Sequence, residues 1–298
     1  MMAADLDTEA TGLPQHCGVV GGGRMGAGIA HALLLAGCDV AVLERDDGAA
    51  SSARERVDRA VAESVRRGHP ASASEVSARL RVTTDMTSLA AAALVIEAVP
   101  EDLALKLDTL GALEAVLAAE AVIGTNTSSI SLDALGDAMA HPERLVGLHF
   151  FNPVPASKLV EVVMADRTTP DLRDRAVSWV DQLGKTPVVV RNAPGFASSR
   201  LGVALGLEAI RMVEEGVASA EDIDAAMTLG YGHPTGPLRL TDLVGIDVRL
   251  GIARYLEQEL GPRFAPPQLM IDMVAEGKLG RKSGQGFYAW PDEGATHA

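Results

Sequence analysis

The sequence predicts an α/β protein, with a doubly wound parallel sheet followed by an all-helical C-terminal domain. Short apolar runs alternate with helical stretches through the first part of the chain, and a glycine cluster directly follows the first run. No strand-like run occurs between residues 197 and 278. Alternating strands and helices are typical of a parallel sheet covered by helices, whereas the later segment is typical of a helical domain.

The segment that ends at Glu44 predicts one βαβ unit. Residues 17–20 form a short apolar run, 29–35 form a longer Ala/Leu stretch closed by Gly37, and 40–43 form a second apolar run. This order predicts a strand, a tight turn, a helix and a parallel second strand. Six further strands are predicted from short apolar runs at 80–83, 94–96, 121–124, 145–148, 160–164 and 187–190.

A domain boundary is predicted after the last of these strands, where Asn192, Pro194 and Gly195 follow a valine-rich run. The chain then comprises a disordered tail at 1–14, a nucleotide-binding domain at 15–192 and a helical domain at 193–298. In the last of these, Ser219 heads one helix with Asp222 as its N3 acid. Other helices are predicted at 201–214, 240–260 and 267–276.

The composition excludes several classes of protein. Apolar residues make up 47% and charged residues 22% of the chain, which is the balance of a soluble globular protein. The 40 acidic and 26 basic residues give a net charge of −14, which repels a phosphate backbone, so nucleic acid is not an expected partner. No apolar run approaches the roughly 20 residues that a membrane-spanning helix needs.

The two cysteines and the first residues bear on the compartment. Cys17 and Cys38 fit no metal-ligand spacing and are too few for a disulfide framework, so buried reduced thiols are favoured over a bridge and no metal site is predicted. Residues 1–14 have neither the basic nor the apolar region of a secretory signal. We therefore expect a cytoplasmic protein.

Gly21, Gly23 and Gly26 have G-x-G-x-x-G spacing directly after the first strand. Glycine is needed there for the tight turn, for close approach to a pyrophosphate and for packing of the helix on the strand. Glu44 follows the second glycine by 21 residues, and a carboxylate there accepts both ribose hydroxyls of NAD and repels a 2′-phosphate. The pattern favours NAD, although Arg45 next to Glu44 keeps NADP as an alternative.

Polar residues at the ends of later strands are the candidates for chemistry, because open parallel sheets bind ligands there. His149 ends one strand and suits a general base that takes the proton of an alcohol. Glu161, on the next strand, would orient the imidazole, and Ser128 would contact the reacting oxygen. The alternatives left open are a hydrogen-bonded core histidine and a helix-capping serine.

Six motifs resemble those of the L-3-hydroxyacyl-CoA dehydrogenases. The likeness runs in order from about residue 17 to residue 288 and also includes the segment 232–237, GHPTGP. The motifs are VGGGRMGAGIA at 20–30, VIEAVPE at 95–101, NTSS at 126–129, GLHFFNPVP at 147–155, PGF at 194–196 and GQGFY at 284–288. The resemblance implies a Rossmann-type NAD-binding domain, a helical domain that dimerises, and oxidation of a (3S)-hydroxyacyl-CoA to the 3-oxoacyl-CoA.

The resemblance also implies roles for individual residues. It makes His149 the general base, Glu161 its orienting partner and Ser128 a contact of the substrate and the nicotinamide. The other matched positions line the cofactor, and they are Arg24, Met25, Glu101, Lys106, Asn152 and Lys282. For the last four of these residues the alternatives left open are, in the same order, a capping acid, a solvated lysine, a turn asparagine and a tail lysine.

The chain departs from the family at Ser199. The family usually has an asparagine before Arg200 that helps to bind the substrate carbonyl, so Ser199 is counted among the catalytic residues. A serine is shorter, so either a water bridges the gap or the substrate lies closer to this wall. The departure puts in doubt the rate on ordinary substrates and their identity.

An arginine-rich segment fits the phosphates of coenzyme A. By resemblance, Ser64 matches a substrate-binding serine, and Arg66 and Arg67 substitute for a lysine of the family. A solvated helix face explains the same charges equally well.

The leading hypothesis is an NAD-dependent 3-hydroxyacyl-CoA dehydrogenase for short chains such as 3-hydroxybutyryl, expected to be a homodimer. The apolar helix at 201–213 is one possible dimer contact, and an internal core helix is the alternative. The competing hypotheses are a dehydrogenase of the same fold for a carrier-protein-bound or free 3-hydroxy acid such as a sugar acid, and an NAD-binding protein without turnover.

Overall fold

The computed structural model describes residues 12–290, in a chain that divides into two compact units, Met1–Ala193 and Pro194–Ala298. The boundary lies one residue after the position expected from sequence. Most of the expected tail at 1–14 lies outside the described residues. Its last part is ordered, because Gly12 O accepts a hydrogen bond from Trp179 Nε1 and Leu13 N donates one to Gln182 Oε1, both at 2.9 Å.

The first unit is built on one eight-stranded sheet with the order β3-β2-β1-β4-β5-β6-β7-β8. Three of its strands, all in the middle of the sheet, are buried along their whole length, as expected for a sheet covered on both faces. All eight predicted strands are present. They are β1 (His16–Val20), β2 (Asp39–Leu43), β3 (Leu80–Thr83), β4 (Leu94–Glu97), β5 (Val122–Thr125), β6 (Leu145–Phe150), β7 (Leu159–Met164) and β8 (Thr186–Arg191).

Helices connect most of these strands, and several begin at a residue whose side chain caps the helix. Asp46, Ser72, Asp102, Ser131 and Thr169 each accept a hydrogen bond from an amide of the first turn. These helices are α1 (Arg24–Leu35), α2 (Asp47–Arg66), α3 (Ala73–Ser77), α4 (Leu103–Val116), α5 (Leu132–Gly136) and α6 (Pro170–Gln182). Two apolar clusters form the core of this unit, and Cys17 and Cys38 are free and buried, as predicted.

The sheet is mostly parallel, as predicted for a doubly wound fold, but β7 runs antiparallel to β6, and β8 runs parallel to β7. Only residues 151–158 connect β6 and β7. A parallel pair needs a crossover of a dozen or more residues, so this connection is too short for one. The antiparallel register pairs His149 with Glu161 directly across the two strands.

The second unit is helical, as predicted. Ser219 caps its helix by accepting from Asp222 N, but the helix predicted at 240–260 is two helices, because Gly245 has a φ of 109°. Apolar runs on both sides of Gly245 made the segment look continuous. The helices are α7 (Ser198–Glu214), α8 (Ala220–Tyr231), α9 (Pro237–Val244), α10 (Ile246–Leu260) and α11 (Gln268–Ala275). Across residues 12–290, no helix is both long and apolar enough to cross a membrane.

Candidate active site

The glycine turn after β1 leaves room for a ligand at the start of α1. Gly21 has a φ of 88°, and a Cβ on Gly26 would lie 1.7 Å from Gly21 O. A Cβ on Gly23 would meet no atom within 4 Å, and Gly23 has no side chain to cap the amides of Arg24 and Met25. Amides at a helix N-terminus bind phosphates, so this turn fits the pyrophosphate of a dinucleotide.

Glu44 lies directly after β2 and contacts this turn. Its Oε1 accepts a hydrogen bond from Gly22 N at 2.6 Å, and its Oε2 accepts one from Arg45 N at 3.3 Å. A Cβ on Gly22 would lie 2.4 Å from the Cβ of Ala53, so α2 packs directly against the turn. The carboxylate is therefore next to the glycines, in the position that suits the ribose hydroxyls of NAD.

The strand order places the ends of β1 and β4 side by side. The chain runs from β1 outward to β2 and β3, then crosses over to β4 on the other side of β1. Ala98 N, just after β4, donates to Val20 O at 2.8 Å. Ligands of open parallel sheets bind at such a switch of direction, so the residues after β4 face the same crevice as the glycine turn.

A buried ion pair lies at the end of β4. Lys106 Nζ donates to Glu97 Oε1 at 2.7 Å, and the two side chains are 1% and 0% exposed. Glu97 also accepts from Val99 N and from Thr125 Oγ1, each at 2.7 Å. The ammonium of Lys106 is 3.4 Å from Glu101 Oε2 as well. The alternative interpretation of Lys106 as a solvated lysine is therefore wrong.

Glu101 organises the turn that follows β5. Its Oε1 accepts from the amides of Ser128 and Ser129 at 2.9 Å and from Thr127 Oγ1 at 2.7 Å, and Ser128 Oγ lies 3.2 Å away. Burial raises the pKa of Glu101, but the charge of Lys106 and the hydrogen bonds from the turn outweigh it and hold the pKa below its ordinary value. Glu101 is therefore ionised and holds Ser128 in a fixed turn.

Ser128 is not the cap of the helix that follows. Ser131 caps α5 instead, which removes the capping alternative for Ser128. The turn is joined to the neighbouring strand, because Asn126 Oδ1 accepts from Phe150 N at 2.8 Å, one residue after His149. In sequence, Asn126 is only the first residue of the NTSS motif at 126–129, and that motif does not indicate this contact.

His149 and Glu161 form a buried pair on β6 and β7. His149 Nδ1 and Glu161 Oε2 are 2.9 Å apart, and the two residues are 6% and 0% exposed. A carboxylate only accepts hydrogen bonds, so it selects the tautomer with the hydrogen on Nδ1 and makes Nε2 the basic atom of the ring. The ring of Phe151 lies against the imidazole, with the centroids 4.5 Å apart. The pair has the arrangement of a general base with an orienting acid.

Asn152 is exposed in the loop at 151–158. Lys185 fixes this loop through two hydrogen bonds, because its Nζ donates to Val154 O and Ser157 O, both at 2.7 Å. Val154 also packs against Gly28 of α1, since a Cβ on that glycine would lie 2.7 Å from Val154 Cβ. The sequence reasoning missed Lys185, because a lysine before a strand has no local feature that marks such a contact.

Comparison with known families matches both units of this chain. Residues 16–193 match the family described as 3-hydroxyacyl-CoA dehydrogenase, NAD binding domain, and residues 195–290 match its C-terminal domain. The chain belongs to the 3-hydroxyacyl-CoA dehydrogenase family. This assignment confirms the predicted fold, the enzyme class and NAD as the cofactor.

Individual members of the 3-hydroxyacyl-CoA dehydrogenase family resemble the chain over most of its length. The 3-hydroxybutyryl-CoA dehydrogenase of Mycobacterium tuberculosis is 41% identical over 93% of this chain and 98% of that protein. A probable 3-hydroxybutyryl-CoA dehydrogenase of Deinococcus radiodurans is 38% identical over 92% of this chain and 99% of that protein. The crystal structure of (S)-3-hydroxybutyryl-CoA dehydrogenase from Ralstonia eutropha has a TM-score of 0.89 and 35% identity, and covers 93% of this chain and 99% of that one.

Two residues that the resemblance to the 3-hydroxyacyl-CoA dehydrogenases singled out lie in the second unit. Ser199 is in the first turn of α7 and is half-buried. Lys282 Nζ pairs with Asp247 at 2.6 Å, and Gly245 packs against the lysine side chain. The tail-lysine alternative for Lys282 is therefore wrong, because the side chain is held within its own unit.

Three residues suggested for coenzyme A lie near the end of α2. Ser64 Oγ is 2.8 Å from His31 Nε2, so its hydroxyl is already engaged by a buried ring. Arg66 forms an ion pair with Glu63, and Arg67 Nε lies 2.7 Å from the same carboxylate. Both arginines are exposed, which matches the solvated-face alternative, and a role toward coenzyme A stays a prediction.

His31 makes the stability of this enzyme depend on pH. The residue is 2% exposed, and burial, with the charges of Lys185 and His69, lowers its pKa to about 4 from 6.5. The unfolded chain therefore binds the proton more readily than the folded chain. The neutral imidazole therefore makes its full contribution to the free energy of unfolding above about pH 6.5, and this contribution is lost as the pH falls toward 4. Between pH 7 and pH 5 this loss lowers the free energy of unfolding by about 2 kcal/mol.

Urea unfolding of the wild type and of His31→Gln at pH 7 and pH 5 measures this contribution. Other titrating groups are common to both proteins, so their effects cancel in the difference. We expect the unfolding free energy of the wild type to fall by about 2 kcal/mol more than that of the variant. An equal pH dependence of the two proteins would show that His31 is not the responsible group.

Proposed function

We propose that this protein oxidises (3S)-3-hydroxyacyl-CoA thioesters to 3-oxoacyl-CoA with NAD, and that its substrates have short acyl chains. The observation that carries the proposal is the buried pair of His149 and Glu161, on the same sheet that holds the glycine turn after β1. The short chain is supported by the relatives, which are named for 3-hydroxybutyryl-CoA.

The proposed chemistry assigns one role to each side chain of the site. His149 Nε2 takes the proton of the substrate hydroxyl, while Glu161 stabilises the imidazolium that forms. NAD, when bound, supplies the acceptor for the hydride that leaves the same carbon. Ser128 is a hydrogen-bond partner of the reacting oxygen, on a turn that Glu101 holds in place. The glycine turn and Glu44 hold the cofactor.

Ser199 is the observation that favours a second candidate. A serine in place of the family's asparagine changes the wall that meets the substrate carbonyl. A dehydrogenase with the same catalytic pair but a carrier-protein-bound or free 3-hydroxy acid as substrate would have such a change. An NAD-binding protein without turnover is disfavoured by the intact His149–Glu161 pair.

An absorbance assay at 340 nm tests these candidates together. We expect rapid NADH oxidation with acetoacetyl-CoA and little with free acetoacetate, because the nucleotide part of the thioester contributes binding energy. Turnover with NADPH should be slower, since Glu44 repels the 2′-phosphate. Binding of NADH without turnover of any acyl-CoA would favour the second candidate, and loss of turnover with every hydroxy acid tested would favour a non-catalytic protein.

We further propose that the enzyme is a cytoplasmic homodimer. The suggested contact helix, α7, packs mainly inward, since Val203, Leu207 and Ile210 are buried, and only Leu201 at its start is largely exposed. Apolar side chains are instead exposed on the following helices, at Leu229, Tyr231, Leu240, Leu243, Val244 and Val248. Such a surface is typical of an interface between subunits. Sedimentation velocity should show a species of twice the chain mass.

A further inference from the structure

Arg56 is the one arginine of α2 whose described contact is with the glycine turn. Its Nη1 donates to Gly22 O at 3.3 Å, and Gly22 N donates to Glu44 Oε1 at 2.6 Å. The guanidinium of Arg56 and the carboxylate of Glu44 therefore contact the carbonyl oxygen and the amide nitrogen of the same glycine. The neighbouring arginines with described contacts are engaged elsewhere. Within α2, Arg54 bonds to Asp58 and to Leu80 O, and Arg66 bonds to Glu63, as does Arg67, which directly follows the helix.

In the described structure the negative charge of Glu44 is not paired with the positive charge of either neighbouring arginine. In the described part of the chain, neither Arg45 nor Arg56 forms an ion pair with Glu44, whose oxygens accept from backbone amides. Arg45 extends into solvent, with 84% of its side chain exposed, and pairs with Asp46 at 3.0 Å. An exposed pair of this kind contributes little and is easily exchanged for another anion.

These positions suit a second phosphate group. Arg45 directly follows Glu44 in the chain, and Arg56 contacts Gly22, whose amide donates to Glu44, so both arginines neighbour the carboxylate that is expected to bind the adenosine ribose. Guanidinium groups bind phosphate oxygens with directed, charge-assisted hydrogen bonds. The carboxylate of Glu44 opposes such a phosphate, because it is hydrogen-bonded to the turn through Gly22 N.

We propose that Arg56, with Arg45, forms a preformed site for the 2′-phosphate of NADP(H), and that the charge of Glu44 keeps this site from being used. The inference rests on the nucleotide site of the proposed function. Arg56 is then a specificity-determining residue: it contributes little to NAD and determines the affinity for NADP(H) once Glu44 is neutral. Glu44 acts by repulsion, in addition to its hydrogen bonds to the ribose.

Calorimetric titration with 2′,5′-ADP and 5′-ADP tests the site without catalysis. Glu44→Gln keeps an oxygen for Gly22 N and removes the charge, so we expect its affinity for 2′,5′-ADP to rise at least about tenfold over the wild type. Adding Arg56→Ala to this variant should lower that affinity about tenfold, while 5′-ADP changes by less than about threefold.

Arg59→Ala in the Glu44→Gln background is the matched control. Arg59 lies one turn further along α2 and is exposed. Its replacement removes the same charge from the same helix. We expect it to leave the affinity for 2′,5′-ADP within about twofold, because a screened charge without contact contributes little. The 5′-ADP titration also shows that each variant retains a folded nucleotide site.

Three results would overturn the inference. The affinity for 2′,5′-ADP could fail to rise in Glu44→Gln, it could be independent of Arg56, or Arg59→Ala could lower it as much as Arg56→Ala. In each case normal binding of 5′-ADP would leave the proposed function standing. Absence of binding of both 5′-ADP and NADH to the wild type would instead contradict the proposed function and this inference with it.

Discussion

Replacing His149 with alanine should lower kcat for acetoacetyl-CoA reduction by about 10²- to 10⁴-fold, the scale of general acid–base catalysis. The imidazole is buried against Glu161 and Phe151, and the structure shows no other histidine paired with a buried carboxylate among residues 12–290. Removal of the ring therefore leaves water as the proton acceptor or donor. The loss should appear in kcat, with the affinity for NADH unchanged.

The measurement is the rate of NADH oxidation at 340 nm, together with NADH binding measured by its fluorescence. Glu161→Gln should also lower kcat while NADH binding is kept, because the amide removes the charge that stabilises the imidazolium. His141→Ala is a control, since His141 is exposed and its ring lies against the exposed carboxylate of Glu143. Turnover of His149→Ala close to that of the wild type would reject the assignment of the base.

Replacing Glu97 with alanine should destabilise the protein by about 3–5 kcal/mol, because it leaves the ammonium of Lys106 buried without its partner. The two side chains are almost fully enclosed and lie 2.7 Å apart. Thr125 Oγ1 and Val99 N also lose their acceptor. The free energy of unfolding in urea, followed by circular dichroism, measures the loss.

The double variant Glu97→Leu with Lys106→Met tests whether the unpaired charge is the cause. It removes both charges and keeps apolar volume, so we expect it to be more stable than Glu97→Ala by several kcal/mol. A loss below about 1 kcal/mol in Glu97→Ala would mean that the pair is hydrated in solution and that Lys106 is not held as the structure shows.

Several features of the fold were predictable because they are encoded in contiguous residues. The glycine turn, the acidic residue after β2 and all eight strands lie within two residues of the predicted positions. Buried parallel strands are short apolar runs, and a tight turn next to a phosphate site requires glycine. The helix that begins after Ser219 was predicted for a similar reason, since its cap and its first acid are three residues apart.

Other features depended on contacts between distant residues. The antiparallel direction of β7 followed from the length of the connection at 151–158, which the strand pattern alone did not reveal. Gly245 divides a segment that the sequence pattern predicts as one helix, because the break is visible only in its φ of 109°. No local sequence pattern indicated three of the contacts. These are the burial of Lys106, the hydrogen bonds of Glu101 to the serine turn and the contact of Arg56 with Gly22.

The sequence by itself determined the fold class, the nucleotide turn and the identity of the residues at the strand ends, because backbone conformation and burial leave local patterns. Only the tertiary structure decided how those residues act together. It paired His149 with Glu161 across two antiparallel strands, enclosed Lys106 with Glu97, and placed Arg56 against Gly22, which Glu44 also contacts. Side-chain charges interact through space, and the distances that govern their interaction are set by packing rather than by separation along the chain.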